Sequence, residues 1–162
     1  QSFATPRSWN FVSEMLDASG FDEADAFEQK VEIAGAIGEG MAIKFVEHRK
    51  IASKLPNPEQ IIAGEVKTLD TKLSKEISAK YSLVVGLAYE LNEMFKSNGI
   101  DDPFRKALNN VVRFSYDNFE PEMVVFLFKT IMKDYQIRFN VRTDLEKELH
   151  KTFSERYTKY IA

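Results

Sequence analysis

The sequence predicts an all-α protein, a multi-helix bundle, on three observations. Apolar residues recur at spacings of three and four along most of the 162 residues. No convincing two-residue alternation interrupts that rhythm. Pro, Gly and acidic residues stand where helices start and stop. The one β-prone run, Val124-Val-Phe-Leu-Phe128, follows a Pro-Glu lead suited to a helix start, and its setting favours a buried helix.

The elements follow in order. Thr5 is a good N-cap and Pro6 a good first helical residue, so a helix is expected from Pro6 to about Ala18. Trp9, Val12 and Leu16 repeat along it with Phe11 and Met15 beside them, and Ser19-Gly20 supplies the stop. A second helix is expected from Asp22 to about Ile37, with Phe27, Val31 and Ala34 on one face, and Gly38-Glu-Gly40 breaks or bends it. Met41 to Leu55 reads as helix with Ile43, Phe45, Val46 and Ile51 inward. Pro56-Asn-Pro58 ends it and starts a short turn over Glu59–Ala63.

From Gly64 to about Thr71 a Gly, several charges and two threonines interrupt the apolar rhythm, which makes this the best internal boundary. The longest helix is expected over Lys72–Lys96, with Ile77, Tyr81, Val84, Val85, Ala88, Leu91 and Phe95 inward and Ser97-Asn-Gly99 as its stop. Asp101 or Asp102 can cap the next helix, with Pro103 first and Phe104, Leu108, Val111 and Val112 facing the core. A helix over Phe119–Ile137 carries Val124, Phe128 and Ile131. A last one, from about Thr143 to Tyr160, carries Leu145, Leu149, Phe153 and Tyr157.

Composition bounds the function. The length suits one domain with a substantial core or two small helical units, and 44% hydrophobic content with thirteen Phe and six Tyr provides packing volume. The absence of Cys removes disulfides and thiolate zinc sites, in keeping with a reducing compartment. No apolar run approaches the ~20 residues that span a bilayer, no signal-peptide pattern opens the chain, and the expected location is cytoplasmic. A net charge of −3 exerts no general pull on nucleic acid or membrane. Lys129, Lys133, Arg138 and Arg142 form a mildly basic region, but interleaved acids make it a solvated or protein-contacting surface.

Several motifs are weaker than they look. Gly35-Ala-Ile-Gly-Glu-Gly40 contains a Gly-x-Gly but follows a helical pattern and lacks the Lys-Ser/Thr of a phosphate loop, so a tight bend or close helix approach is the preferred reading. His48 and His150 have no metal-ligand spacing, and no metal site is expected. Asp101-Asp102 and Glu120/Glu122 sit at helix starts, where offsetting the dipole accounts for them.

Arg7 is harder to dismiss. It falls in the first helical turn, where a cation opposes the positive end of the helix dipole. Residues 1–40 hold eight acids against two bases, Arg7 and Lys30, which makes it stand out further. An Arg beside helix N-terminal N–H groups suits phosphate oxygens. The plain alternative is a surface Arg turned to solvent or to Glu14.

Thr5-Pro-Arg-Ser-Trp-Asn-Phe-Val-Ser13 resembles the segment of MoxR-type AAA+ ATPases in which a Pro-Arg pair opens a lid helix. Ile33-Ala-Gly-Ala-Ile-Gly-Glu-Gly-Met-Ala-Ile-Lys-Phe45, followed by Leu55-Pro-Asn-Pro-Glu-Gln-Ile-Ile62, is similar to a pattern of bacterial and phage members. Phe119-Glu-Pro-Glu-Met-Val-Val-Phe-Leu-Phe-Lys129 is similar to a third, in the same order. No counterpart of the nucleotide-binding core is present.

The resemblance implies an AAA+ lid-like helical subdomain over residues 1–68 and a C-terminal helical extension over 69–162, packed as one unit. It implies that Arg7 is the catalytic and cofactor-binding residue, a sensor 2 that contacts the γ-phosphate of ATP. ATP and Mg²⁺ belong to the full-length protein and none is expected in this piece alone, which should hydrolyse nothing. The implied partners are an upstream AAA+ core of the same polypeptide, neighbouring subunits of a ring, and protein clients, among them von Willebrand factor A domain proteins. A chain opening at Gln1 without an initiator Met reads as an excised piece. The competing expectation is a free-standing helical protein-interaction module without nucleotide chemistry, with Arg7 an ordinary surface residue.

Overall fold

A computed structural model describes residues 4–19, 26–70 and 73–161. Among them there is no strand, and the chain is all-α as expected. It divides into two compact units, Gln1–Ser53 and Lys54–Ala162. No described helix is long and apolar enough to cross a membrane.

The first unit holds α1 (Pro6–Ser19), α2 (Ala26–Ile37) and α3 (Glu39–Ala52). Thr5 and Ser8 cap α1 reciprocally: the Ser8 N–H donates to Thr5 Oγ1 at 3.2 Å and the Thr5 N–H to Ser8 Oγ at 2.8 Å. Gly38 alone separates α2 from α3, at φ 87°, where a side chain would be strained. This is the tight bend expected of the Gly-rich segment, and the new helix starts at Glu39, whose acid suits its positive end. No close helix approach is needed at Gly35 or Gly40, since an added Cβ at either would meet nothing within 4 Å.

Val12, Ile33, Ile37, Ala42 and Val46 form this unit's core, with Trp9 edge-on to Phe45 at 5.2 Å. Val31, expected inward, is exposed; the buried stripe of α2 is Ile33 and Ile37, on another face. The earlier part of the second expected helix, Asp22–Asp25, and the side chain of Phe27 lie outside the described residues, as do Phe3 and Gly20.

The second unit begins with α4 (Pro58–Ala63), then a 3₁₀ turn Leu73–Lys75, α5 (Ile77–Asn98), α6 (Asp102–Asn118), α7 (Pro121–Lys129), a π-helical turn Thr130–Asp134, α8 (Asp144–Tyr157) and a 3₁₀ turn Thr158–Tyr160. The division by packing falls ahead of the change in composition at 64–71, because Ile61 of α4 is fully buried in the second core. Asn57 caps α4 through Oδ1 and the Glu59 N–H. Gly64 ends it at φ 81°, and a Cβ there would stand 2.9 Å from Asn110 Nδ2, which donates to the Ile62 carbonyl. The Asn118 side chain then holds the extended segment beyond, accepting from the Leu69 N–H and donating to the Lys67 carbonyl.

Leu83, Leu87, Leu91, Phe104, Leu127, Ile131 and Ile137 anchor the core of this unit. The α6 stripe is as expected, with Phe104, Leu108, Val111 and Val112 all buried and Asp101 capping through the Phe104 N–H at 2.8 Å. Two expectations fail. On α5, Ile77, Tyr81 and Val85 point to solvent while Ala79, Lys80, Leu83 and Leu87 are buried. The expected stripe had merged two faces of an amply apolar helix. The expected Lys72 start lies outside the described residues.

The single helix expected over 119–137 is also corrected. Its α-helical part ends at Lys129, the next turn widens to a π-helix closed by the Tyr135 N–H on the Thr130 carbonyl, and Gln136 takes φ 55°. Ile131 and Ile137 lie ~120° apart around a regular helix, too far to point into one core together. The widened turn and left-handed residue bury both.

Among the described residues, two ion pairs join different elements of this unit. Lys80, with its side chain 4% exposed, bonds to Glu120 at the start of α7. Arg105 of α6 donates to Glu146 at 2.9 Å and to the Asn140 carbonyl at 3.0 Å. Glu146 also closes a capping box with Thr143 at the start of α8.

Candidate functional site

The candidate site is the start of α1. Pro6 occupies the first helical position, and Arg7 follows it in the first turn. Arg7 is exposed, and among the described residues its guanidinium has no ion-pair or hydrogen-bonding partner. The Glu14 carboxylate, the expected local partner, instead accepts from Asn10 Nδ2 at 2.9 Å. No acid stands in the first turn of α1 or of α5, whereas α3, α4, α6 and α7 each place one there and α8 places two. The positive helix end and the cation therefore act in the same direction on any anion that approaches.

Beside Arg7 runs an open groove of about 670 Å³ between α1 and α2. Arg7, Ser8, Phe11 and Met15 line one wall; Glu32, Gly35 and Ala36 line the other. Phe11, expected beside the buried stripe, is exposed here. Gly35 leaves its part of the floor open. The groove thus joins a cation, an apolar wall and one carboxylate, Glu32, which restrains binding of a highly charged anion deeper in. A single exposed cation can contact and stabilise a phosphoryl oxygen, but the described residues supply no second cation in the groove to enclose a polyphosphate.

The other singled-out residues are placed elsewhere. His48 is half-buried on α3 and His150 exposed on α8, and no group of three His, Asp or Glu with metal-binding spacing occurs among the described residues. Asp101 caps its helix, but the carboxylate of Glu120 is used by Lys80, which holds it below the usual carboxylate range. Lys129, Lys133, Arg138 and Arg142 are all exposed.

Sequence reasoning missed a cavity of about 420 Å³ in the second unit, bounded by α6, α8 and the π turn with the segment after it. Leu108, Val112, Phe128, Met132, Phe139 and Phe153 supply its apolar wall. Each reads singly as ordinary core, and only the π turn brings them around one space. The Arg105–Glu146 pair was missed too, although Thr143-x-x-Glu146 is a capping-box signature. Burial pushes the Glu146 carboxyl up, but the N–H groups of Arg142 and Thr143 and the Arg105 guanidinium outweigh it and hold the group low. Burial, with the neighbouring Tyr157, raises the Tyr116 phenol strongly, and burial also raises Tyr157. In comparisons with known proteins, no family model, curated protein or solved structure matches the chain.

Proposed function

We propose that this chain is the C-terminal helical region of a MoxR-like AAA+ ATPase, with residues 1–68 as lid and 69–162 as helical extension. Arg7 is its sensor 2, directed at the γ-phosphate of ATP held by an upstream core of the same polypeptide. The observation that carries the reading is Arg7 itself: an exposed cation without a partner among the described residues, in the first turn of a Pro-opened helix, within a segment that resembles the lid start of that family. Two further resembling segments in the same order support it.

Arg7 meets the first requirement of that role, since a cation already spent on a carboxylate could not serve a phosphoryl oxygen. Its contribution is electrostatic, a fixed positive charge that favours the negative charge on the phosphoryl oxygens during transfer. Hydrolysis with Mg²⁺ supplies the energy, and the upstream core supplies the phosphate loop and metal ligands. This chain contributes Arg7, the Thr5–Ser8 cap that fixes the first turn, and a small helical body that moves with them. Neighbouring subunits of a cytoplasmic ring and remodelled protein clients, including von Willebrand factor A domain proteins, complete the proposal.

The test is ATP hydrolysis by the polypeptide joined to its upstream core, beside its Arg7→Ala variant and beside this chain alone. The expected result is a loss of about a hundredfold in turnover for the variant and none detectable from the chain alone. Undiminished turnover in the variant removes Arg7 from the chemistry.

A further inference from the structure

The cavity in the second unit is larger than a packing gap. Voids between core side chains rarely exceed a water molecule, whereas its volume of about 420 Å³ lies within the usual range of small-molecule sites. At ~30 Å³ for each water-sized group it has room for about fourteen non-hydrogen atoms. Phe128 of α7 and Phe153 of α8 meet along one wall, their ring centroids 4.4 Å apart, and Leu108 and Val112 of α6 line it as buried residues. Met132 of the π turn stands 49% exposed at the cavity, where its unbranched thioether can adapt to what enters. π turns inside helices are frequent at functional sites.

The polar groups narrow the class of occupant. Glu146 is the one carboxylate lining the space, and it is spent on Arg105 and on the N–H groups of Arg142 and Thr143. The Tyr116 hydroxyl is spent on the Leu149 carbonyl. Among the described residues no Lys or Arg lines the cavity, so a charged ligand would leave water without gaining a counter-charge. The side chains of Asn109, Asn140 and His150 line it and have no hydrogen-bonding partner among the described residues. Asn109 is half-buried and the other two are exposed, which sets hydrogen-bonding groups on the open side and apolar groups inside. We propose that this cavity binds a small uncharged amphiphile, a molecule of about eight to ten carbons with a single hydrogen-bonding head. The apolar body lies against Leu108, Val112, Phe128 and Phe153, and the head bonds to Asn109, Asn140 and His150. The site lies within the second unit and does not depend on the ATPase reading.

Titration of the 162-residue chain with 1-octanol tests it, followed at pH 8 through the carbon–proton NMR signals of its methyl groups. Saturable shifts of the Leu108, Val112, Met132 and Leu149 methyls are expected, with a dissociation constant of about 0.1–1 mM for a ligand of this size. Octanoate and octylammonium carry the same chain on a charged head and are expected to bind at least tenfold more weakly. Val112→Phe fills the space from α6 and Met132→Trp fills it from the open side, and each weakens octanol binding at least tenfold. Met132 is half-exposed, so the second variant keeps its fold even where the first does not. Absence of saturable shifts at these methyls overturns the inference, and so does octanol binding undiminished in Met132→Trp. Shifts centred on the exposed Val85 of α5 instead mark unspecific adsorption and overturn it as well. Octanoate or octylammonium binding as tightly as octanol overturns the uncharged class.

Discussion

The two units are stabilised differently. The first closes a small core of Val12, Ile33, Ile37, Ala42 and Val46 around a single Gly38 bend, with the Thr5–Ser8 cap at its open end. The second surrounds a larger, aromatic-rich core and adds two ion pairs, a capping box and asparagine side chains that bond to its loops. A unit of some fifty residues buries a smaller share of its surface than one twice as long, so the first is the more marginal of the two. A marginal unit is the suitable place for a part that must move with a ligand.

The largest effects test whether the units are separable. Phe104→Ala removes a fully buried ring from the second core and is expected to cost about 4 kcal/mol, against about 3 kcal/mol for Ile33→Ala in the first. Although its cost is smaller, the Ile33 variant should unfold its unit more completely, because less stability is there to lose. Hydrogen exchange by mass spectrometry resolves the two. The expected pattern is loss of protection over α1–α3 alone for Ile33→Ala, with α5 and α6 still protected. Simultaneous loss over both units would make them one cooperative body and end the comparison.

How far these units could be read from sequence depends on what determined each residue's place. The capping signals of α1 and α6 act within four residues and were legible, and so was the α6 stripe, whose Phe104, Leu108, Val111 and Val112 alternate cleanly with polar neighbours; the Asn57 cap of α4 went unread, its segment being taken for the start of a short turn. On α5 nearly every position tolerates burial, so spacing alone could not say which side faces the core. Buried Lys80 is explained only by Glu120, forty residues away. The π turn follows from Ile131 and Ile137 competing for one core, a tertiary demand with no local signature. Arg7 was legible as a misplaced charge because the dipole argument is local. The groove beside it was not, since Glu32 and Gly35 reach it from a second helix.

A middle-sized effect comes from pH and acts on the second unit. Glu146 and Glu120 have carboxyls held below their ordinary value, so each contributes stability that is present above about pH 4.3, the unfolded value, and is lost as pH falls through the folded value. At the alkaline end Tyr116, whose hydroxyl donates to the Leu149 carbonyl, and Tyr157 are raised. They contribute stability that is full below about pH 10 and is lost as pH rises above it. Glu146→Gln should therefore flatten the acid side of a plot of melting temperature against pH for the second unit, leaving the alkaline side as it was. It should also cost about 2 kcal/mol at neutral pH, because Arg105 keeps its charge with one partner fewer. An acid limb as steep in the variant as in the parent chain would assign that stability to other carboxylates.

The smallest expected effect sharpens the comparison most. Gly35 lies inside α2, and an added Cβ there meets nothing within 4 Å. Gly35→Ala should therefore stabilise the first unit by about 0.5–1 kcal/mol, the ordinary gain of Ala over Gly in a helix interior. The same methyl group enters the floor of the groove beside Arg7. Stability and function then move in opposite directions wherever the groove receives another part of the polypeptide. The chain alone should melt slightly higher, and, under the function proposed above, ATP turnover in a polypeptide that joins this chain to an ATPase core should fall. A rise in melting temperature with turnover unchanged would leave the groove as empty surface and confine the role of this unit to Arg7 and its cap.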